Sequence, residues 1–262
     1  MANGGGFWVS GDSTLSLNDP DDNIYEENQP DDIYLELISQ PDPFGLVEDF
    51  DTDPGWTRFN NPANDFGFRN SNLAGGTAGE AGGFFSITTV PVWYGDERVG
   101  AFGGSDALCA SGILNIRSVD LGYDNNVLVG HFDSGEFSES EQNGIGLQVL
   151  EPDEQGATSL RIFYLAGTGE GQLFVIEGLN LPRTWSYNYD PKAGDFGSLT
   201  ISISGPGGGT ATHFLASDER DSISNFDTFG LAVKPHDLES TAQAEMYVDN
   251  LRYTSTVPCK MP

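Results

Sequence analysis

Residues 198–205 read SLTISISG. Leu199, Ile201 and Ile203 alternate with Thr200, Ser202 and Ser204, so an extended chain puts every apolar side chain on one face and every hydroxyl on the other. A helix would scatter both sets around its axis, whereas a period of two requires a half-buried strand. The pattern recurs in SLRIFYL (159–165), GQLFVIEG (171–178), NFDTFGLAV (225–233) and AEMYVDNLRYT (244–254). Upstream, CASGILNIRSVDL (109–121) and NNVLVGHF (125–132) supply further strands, and no segment after residue 46 carries a helical period. Between them lie turn sequences rich in Gly, Pro, Asp and Asn: GYDNN (122–126), EPDEQG (151–156), GTGEG (167–171), YDPKAGDFG (189–197) and GPGGG (205–209). Strands and turns at this spacing predict an all-β fold, a two-sheet antiparallel β-sandwich.

Composition agrees. The 262 residues include 34 glycines, 17 phenylalanines and 9 tyrosines but 3 methionines, a bias toward short strands and tight turns. The first 45 residues differ: NDPDDNIYEENQPDDIYLELISQPDPFG (18–45) is acidic and punctuated by proline. They read as an N-terminal arm with added strands at FWVSG and IYLELIS, or as a linker from a neighbouring module, ahead of a sandwich over 46–262. No repeat of fixed period is present, which disfavours solenoids and propellers.

Forty acids against eleven bases give a formal net charge of −29, which repels nucleic acid and anionic membrane surfaces over much of the molecule. The excess is read as a solvating surface, partly offset by bound divalent cations. No run of 18 apolar residues and no basic-then-apolar leader follows Met1, so membrane insertion is not expected and the chain reads as a mature exported fragment. Cys109 and Cys259 form one disulfide tying the tail to the body, or are two free thiols; spacing does not decide. The three histidines are too scattered for a zinc cluster.

AGGTAGEAGG (74–83) raises a phosphate loop as a possibility. A phosphate loop opens a helix, whereas FFSITTV follows here, aromatic and β-branched, and Lys-Ser/Thr is missing. The glycines are therefore expected at bulges or close backbone approaches, with Glu80 either capping amides or projecting into a cleft.

EDFDTDPGW (48–56), SNLAGGTAGEAGG (71–83), WSYNYDPKAGDFGSLTISISG (185–205) and MYVDNLRYT (246–254) together resemble the laminin-G-like, concanavalin-A-like jelly rolls of secreted bacterial proteins, over roughly residues 46–254. The resemblance implies curved sheets, adjacent first and last strands, an extracellular setting and a concave face that often receives poly- or oligosaccharide. It also implies a structural calcium between the first strand and the last. Asp49 and Asp51, at alternate positions with Asp53, and Asp249 are its candidate ligands; the segment is no EF-hand, because Pro54 holds the glycine position and Asn60 the final glutamate position.

The same scaffold hosts lectins, binding modules, glycoside hydrolases and polysaccharide lyases, so activity must be argued from residues. The laminarinase pattern Glu-x-Asp-x-x-Glu stops short at EPDEQG, where Gly156 replaces the second acid. The lyase pattern Gln-x-His fails at His131, which sits in VGHFDSG. If the chain is an enzyme, Glu80, Glu177, His131 and Tyr94 are the candidates for acid, base and nucleophile. For sugar stacking, Trp93 and Tyr94 in VPVWYGDE, and Tyr187 and Tyr189 in TWSYNYDP, are the candidate platforms, with Trp93 on a loop rim and Trp56 and Trp185 in the core. The expected function is a secreted, calcium-stabilised carbohydrate-binding sandwich. The alternatives are a glycan-cleaving enzyme and a structural or adhesive surface domain.

Overall fold

A computed structural model describes residues 45–62, 65–120, 127–135, 144–150, 158–164, 173–176, 178–233, 235, 243–256 and 259. The arm expected over 1–45 lies outside them, save Gly45. The described strands are β1 (Leu46–Glu48), β2 (Thr57–Phe59), β3 (Phe66–Arg69), β4 (Glu80–Ser86), β5 (Val92–Asp96), β6 (Leu108–Asp120), β7 (Val127–Phe132) and β8 (Gly144–Leu150). They continue with β9 (Thr158–Tyr164), β10 (Leu173–Ile176), β11 (Arg183–Asp190), β12 (Ser198–Ile203), β13 (Gly209–Phe214), β14 (Thr228–Val233) and β15 (Gln243–Tyr253). One short helix, α1 (Ser217–Ser222), precedes β14. It escapes periodicity because six residues make less than two turns; its start is fixed by Glu219, whose carboxylate accepts the Ala216 N–H at 2.5 Å.

Two antiparallel sheets pack as a jelly-roll sandwich. One runs β13-β12-β11-β6-β15-β4-β3, with β1 also on β15; the other runs β10-β9-β8-β7-β14-β5-β2. The alternation in residues 198–204 is realised in β12: Leu199, Ile201 and Ile203 are buried, and Thr200 and Ser202 are half-buried on the outer face. β15, late in the chain, sits inside its sheet. It pairs with β6 on one side and on the other with β4 up to Val248↔Ala81; β1 then takes over, with Leu46 opposite Tyr253. The first and last described strands are therefore adjacent.

Inward faces of both sheets form one core. At its centre Trp56, Tyr94, Phe229 and Tyr253 interlock, with Phe229 and Tyr253 stacked at 4.0 Å between centroids. Tyr253 donates its hydroxyl to Asp96 at 2.7 Å, and Arg98 binds the same carboxylate through two nitrogens. Although burial pushes Asp96 upward, these donors outweigh it and hold the carboxyl below its ordinary value. Cys109 and Cys259 are joined in a disulfide.

Candidate functional site

The glycine segment is a loop that closes over the junction of β1, β4 and β15, followed by the start of β4. Gly79 takes φ +119°, and a Cβ there would lie 1.9 Å from the Phe50 carbonyl oxygen. Gly76 sits against Asp249, whose Oδ2 would lie 1.9 Å from a Cβ. Only glycine permits both approaches. Glu80 is the cap rather than a cleft acid: fully buried, its carboxylate accepts the N–H groups of Leu73 and Ala74 and the Ser71 hydroxyl.

Two of the expected metal ligands, Asp51 and Asp249, meet this loop. Asp51 accepts the Thr77 hydroxyl at 3.4 Å and offers its own N–H to Asp49. Asp249, 1% exposed, accepts the Asn250 N–H through Oδ1 at 2.7 Å, while its Oδ2 has no partner. Burial, then the charges of Glu80, Asp49 and Asp51, push its carboxyl up to about 6, against the Asn250 hydrogen bond. Among the described residues no three His, Cys, Asp or Glu side chains are grouped to hold a metal by themselves. An orphaned, buried carboxylate oxygen between acids and a glycine backbone nevertheless suits a hard cation, which takes carbonyl and water oxygens as readily as carboxylates.

The candidate catalytic and stacking residues do not converge. His131 lies in the core against Phe229 and Phe102; its Nε2 donates to the Thr254 carbonyl at 2.7 Å and its Nδ1 accepts the Tyr187 hydroxyl. Burial pushes its pKa down to about 4, opposed by the Thr254 carbonyl, so the ring is neutral. Tyr94, read as a rim or catalytic residue, is a core residue beside Trp56 with the Arg58 guanidinium 4.9 Å above its ring. Tyr187 and Tyr189, read as groove residues, face inward as well, Tyr189 donating to the Gly104 carbonyl. The alternation of β11 was legible; its aromatic side is the core side because those rings bury the larger apolar area. Glu177 lies outside the described residues.

Trp93 is placed differently. It belongs to β5 rather than to a loop, and it faces away from the core. Phe59, Trp93, Ala232, Leu128 and Gln148 lie in register across β2, β5, β14, β7 and β8. The next row of that outer face is Gly95, Gly230, Gly130 and Gly146. A Cβ on Gly230 would stand 2.3 Å from the Tyr94 carbonyl oxygen, and one on Gly130 2.1 Å from that of Ile145. Each would meet the backbone of a neighbouring strand, so the row has no room for side chains of its own.

Aromatic rings lie along this outer face. Trp93 stacks on Phe59 at 5.4 Å and 13°, and meets Phe132 edge-on at 5.9 Å. The Trp93 Nε1 and Gln148 Oε1 atoms are buried and have no hydrogen-bond partner. Phe59 is 42% exposed, whereas Trp93, Leu128, Phe132 and Gln148 are buried. Beyond Phe132, Asp227 accepts the Ser134 N–H and hydroxyl, and Asp133 accepts the Gly135 N–H and the Asn225 amide. Phe59, Phe132 and Gln148 were not singled out from the sequence, because only the register brings them into line with Trp93.

Neither a protein-family model nor a curated protein matches the chain. Among solved structures, it is similar to the Emp47p carbohydrate recognition domain (12% identity, TM-score 0.42, covering 80% of this chain and 95% of that one). It is also similar to the PL-14 alginate lyase of Aplysia kurodai (12%, 0.46, 73% and 87%) and to the exoplasmic/lumenal domain of VIP36 bound to Ca2+ and Man3GlcNAc (11%, 0.45, 83% and 90%).

Proposed function

We propose that the chain is a carbohydrate-binding β-sandwich of an extracellular protein, pinned by calcium. The observation that carries this reading is the exposed Phe59 ring, stacked on the buried Trp93 of the outer face beside an unpartnered indole N–H and amide oxygen. A pyranose offers C–H faces to rings and hydroxyls to polar groups, and this face supplies both. Entry is from the exposed Phe59 end. The charge of −29 favours a neutral glycan over a polyanion, and the disulfide supports an oxidising compartment.

Glycan arrays at millimolar calcium test the reading. Phe59→Ala is expected to weaken retention about tenfold, the loss of about 1.4 kcal/mol of stacking, with the melting temperature little changed. Retention of no polysaccharide by the unaltered chain would sink it.

Asp249 and Asp51 would hold the calcium, with oxygens of the 75–79 loop and water completing its shell and Asp49 adding charge nearby. The ion would neutralise the crowded acids where β1 and β15 meet. At a hundredfold excess over Kd, calcium is expected to add about 2.7 kcal/mol, or about 5–10 °C in Tm for a domain of this size. Asp249→Asn should abolish that gain; an unchanged melting point on adding chelator to the unaltered chain contradicts the site.

A further inference from the structure

β13 terminates its sheet, paired with β12 on one side. Its sequence, GTATHF, contains no Lys, Arg, Asp, Glu or Pro, the residues with which proteins normally blunt an open edge. Gly209, Thr210 and Thr212 are exposed, Phe214 is 65% exposed, and among the described residues no strand pairs with the outer edge of β13.

The face beside the edge is also unusual for so acidic a chain. Thr200 pairs with Thr212 through their hydroxyls at 2.9 Å, and Ser202 with Thr210 at 2.8 Å. Inward from these, Thr184, Ser186 and Ser204 line a shallow depression of about 480 Å³ together with Ser202 and Thr210. The lining of the depression holds hydroxyls and no charged side chain; Asp190 lies on the same face toward Phe214, in register with Ser198.

We propose that β13 is a self-docking edge, pairing antiparallel with the same strand of a second copy about a two-fold axis. Residues opposite each other in an antiparallel pair share a face, which limits the register. Placing Ala211 opposite the partner's Ala211 sets Thr210 opposite the partner's Thr212, continuing the hydroxyl ladder into the second molecule. It also sets Phe214 opposite the partner's Gly208, which has no side chain to obstruct the ring; the neighbouring permitted registers set Phe214 against Thr210 or Pro206 of the second copy. The pairing is isologous and leaves β13 no free edge.

A six-residue edge is small against the roughly 800 Å² per partner of a standard interface, and each copy carries strong negative charge, so the dimer is weak and strengthened by salt. Sedimentation velocity over a hundredfold range of protein concentration, at low and high sodium chloride, should show a dimer that grows with both. Phe214→Glu should weaken it at least tenfold without lowering the melting temperature. A mixture of Thr210→Cys and Thr212→Cys chains should cross-link on mild oxidation several-fold faster than either alone. A dimer untouched by Phe214→Glu and by the cysteine pairing overturns the proposal. So does a monomer at every concentration and salt, whether the edge then stays open or accepts an extended segment of another protein.

Discussion

Replacing Cys109 and Cys259 by alanine, or reducing their bond, is expected to lower stability by about 4 kcal/mol, within the range of about 2–5 kcal/mol for native disulfides. The bond closes a loop with a sequence separation of 150 residues, the regime in which cross-linking removes most freedom from the unfolded chain. Its native contribution is local: the tail is also held by the Thr254 N–H on the Cys109 carbonyl, the Cys109 N–H on the Thr254 hydroxyl and the Cys259 N–H on Ala107. Those hydrogen bonds let the folded state survive without the bond, so the loss falls on the unfolded side. Urea titrations with and without reductant measure it. The midpoint should drop while the dependence on urea steepens, because the unbridged unfolded chain exposes more surface. Coincident curves would contradict the argument.

The second large effect is acid sensitivity from His131. Free histidine titrates near 6.5, whereas burial holds His131 neutral down to about 4. Between those values the unfolded chain binds a proton that the native one refuses, so stability falls as pH falls from about 6.5 to about 4, by about 3 kcal/mol in total. Asp249 acts in the opposite sense: its carboxyl keeps its proton up to about 6, giving a stabilisation present at acid pH and lost as pH rises through that value. Comparing the chain with His131→Gln isolates the histidine, since Asp249 is common to both. Glutamine retains one donor and one acceptor for Thr254 and Tyr187. The two stability curves should diverge below about pH 6.5; parallel curves would show that His131 is not held neutral.

Both effects come from residues whose surroundings the sequence left open. Strand identity was legible wherever one chain segment carried its own period, as in Leu199 to Ser204. Facing was less so: the alternation of residues 185–189 defines two sides of β11 without saying which is inward, and Tyr187 and Tyr189 went to the core. Trp93 misread as a loop residue because Gly95 suggests a turn, whereas Gly95 belongs to a glycine row drawn from four strands. Such a row is invisible one strand at a time. The resemblance pointed to Asp51 and Asp249, but the loop that both meet was not foreseen, because Gly76 and Gly79 reveal their purpose only against Asp249 and Phe50. Glu80 was left between two roles, and the amides of Leu73 and Ala74 decide it.

The interior position of β15 bears on how the molecule is made. The strand that completes pairing with β6, β4 and β1 is synthesised long after all three. Until residues 243–253 leave the ribosome, β4 and β6 lack their common neighbour, and the nascent chain stays uncommitted. Delay of that kind makes closure of this sheet one of the last steps of the chain's synthesis.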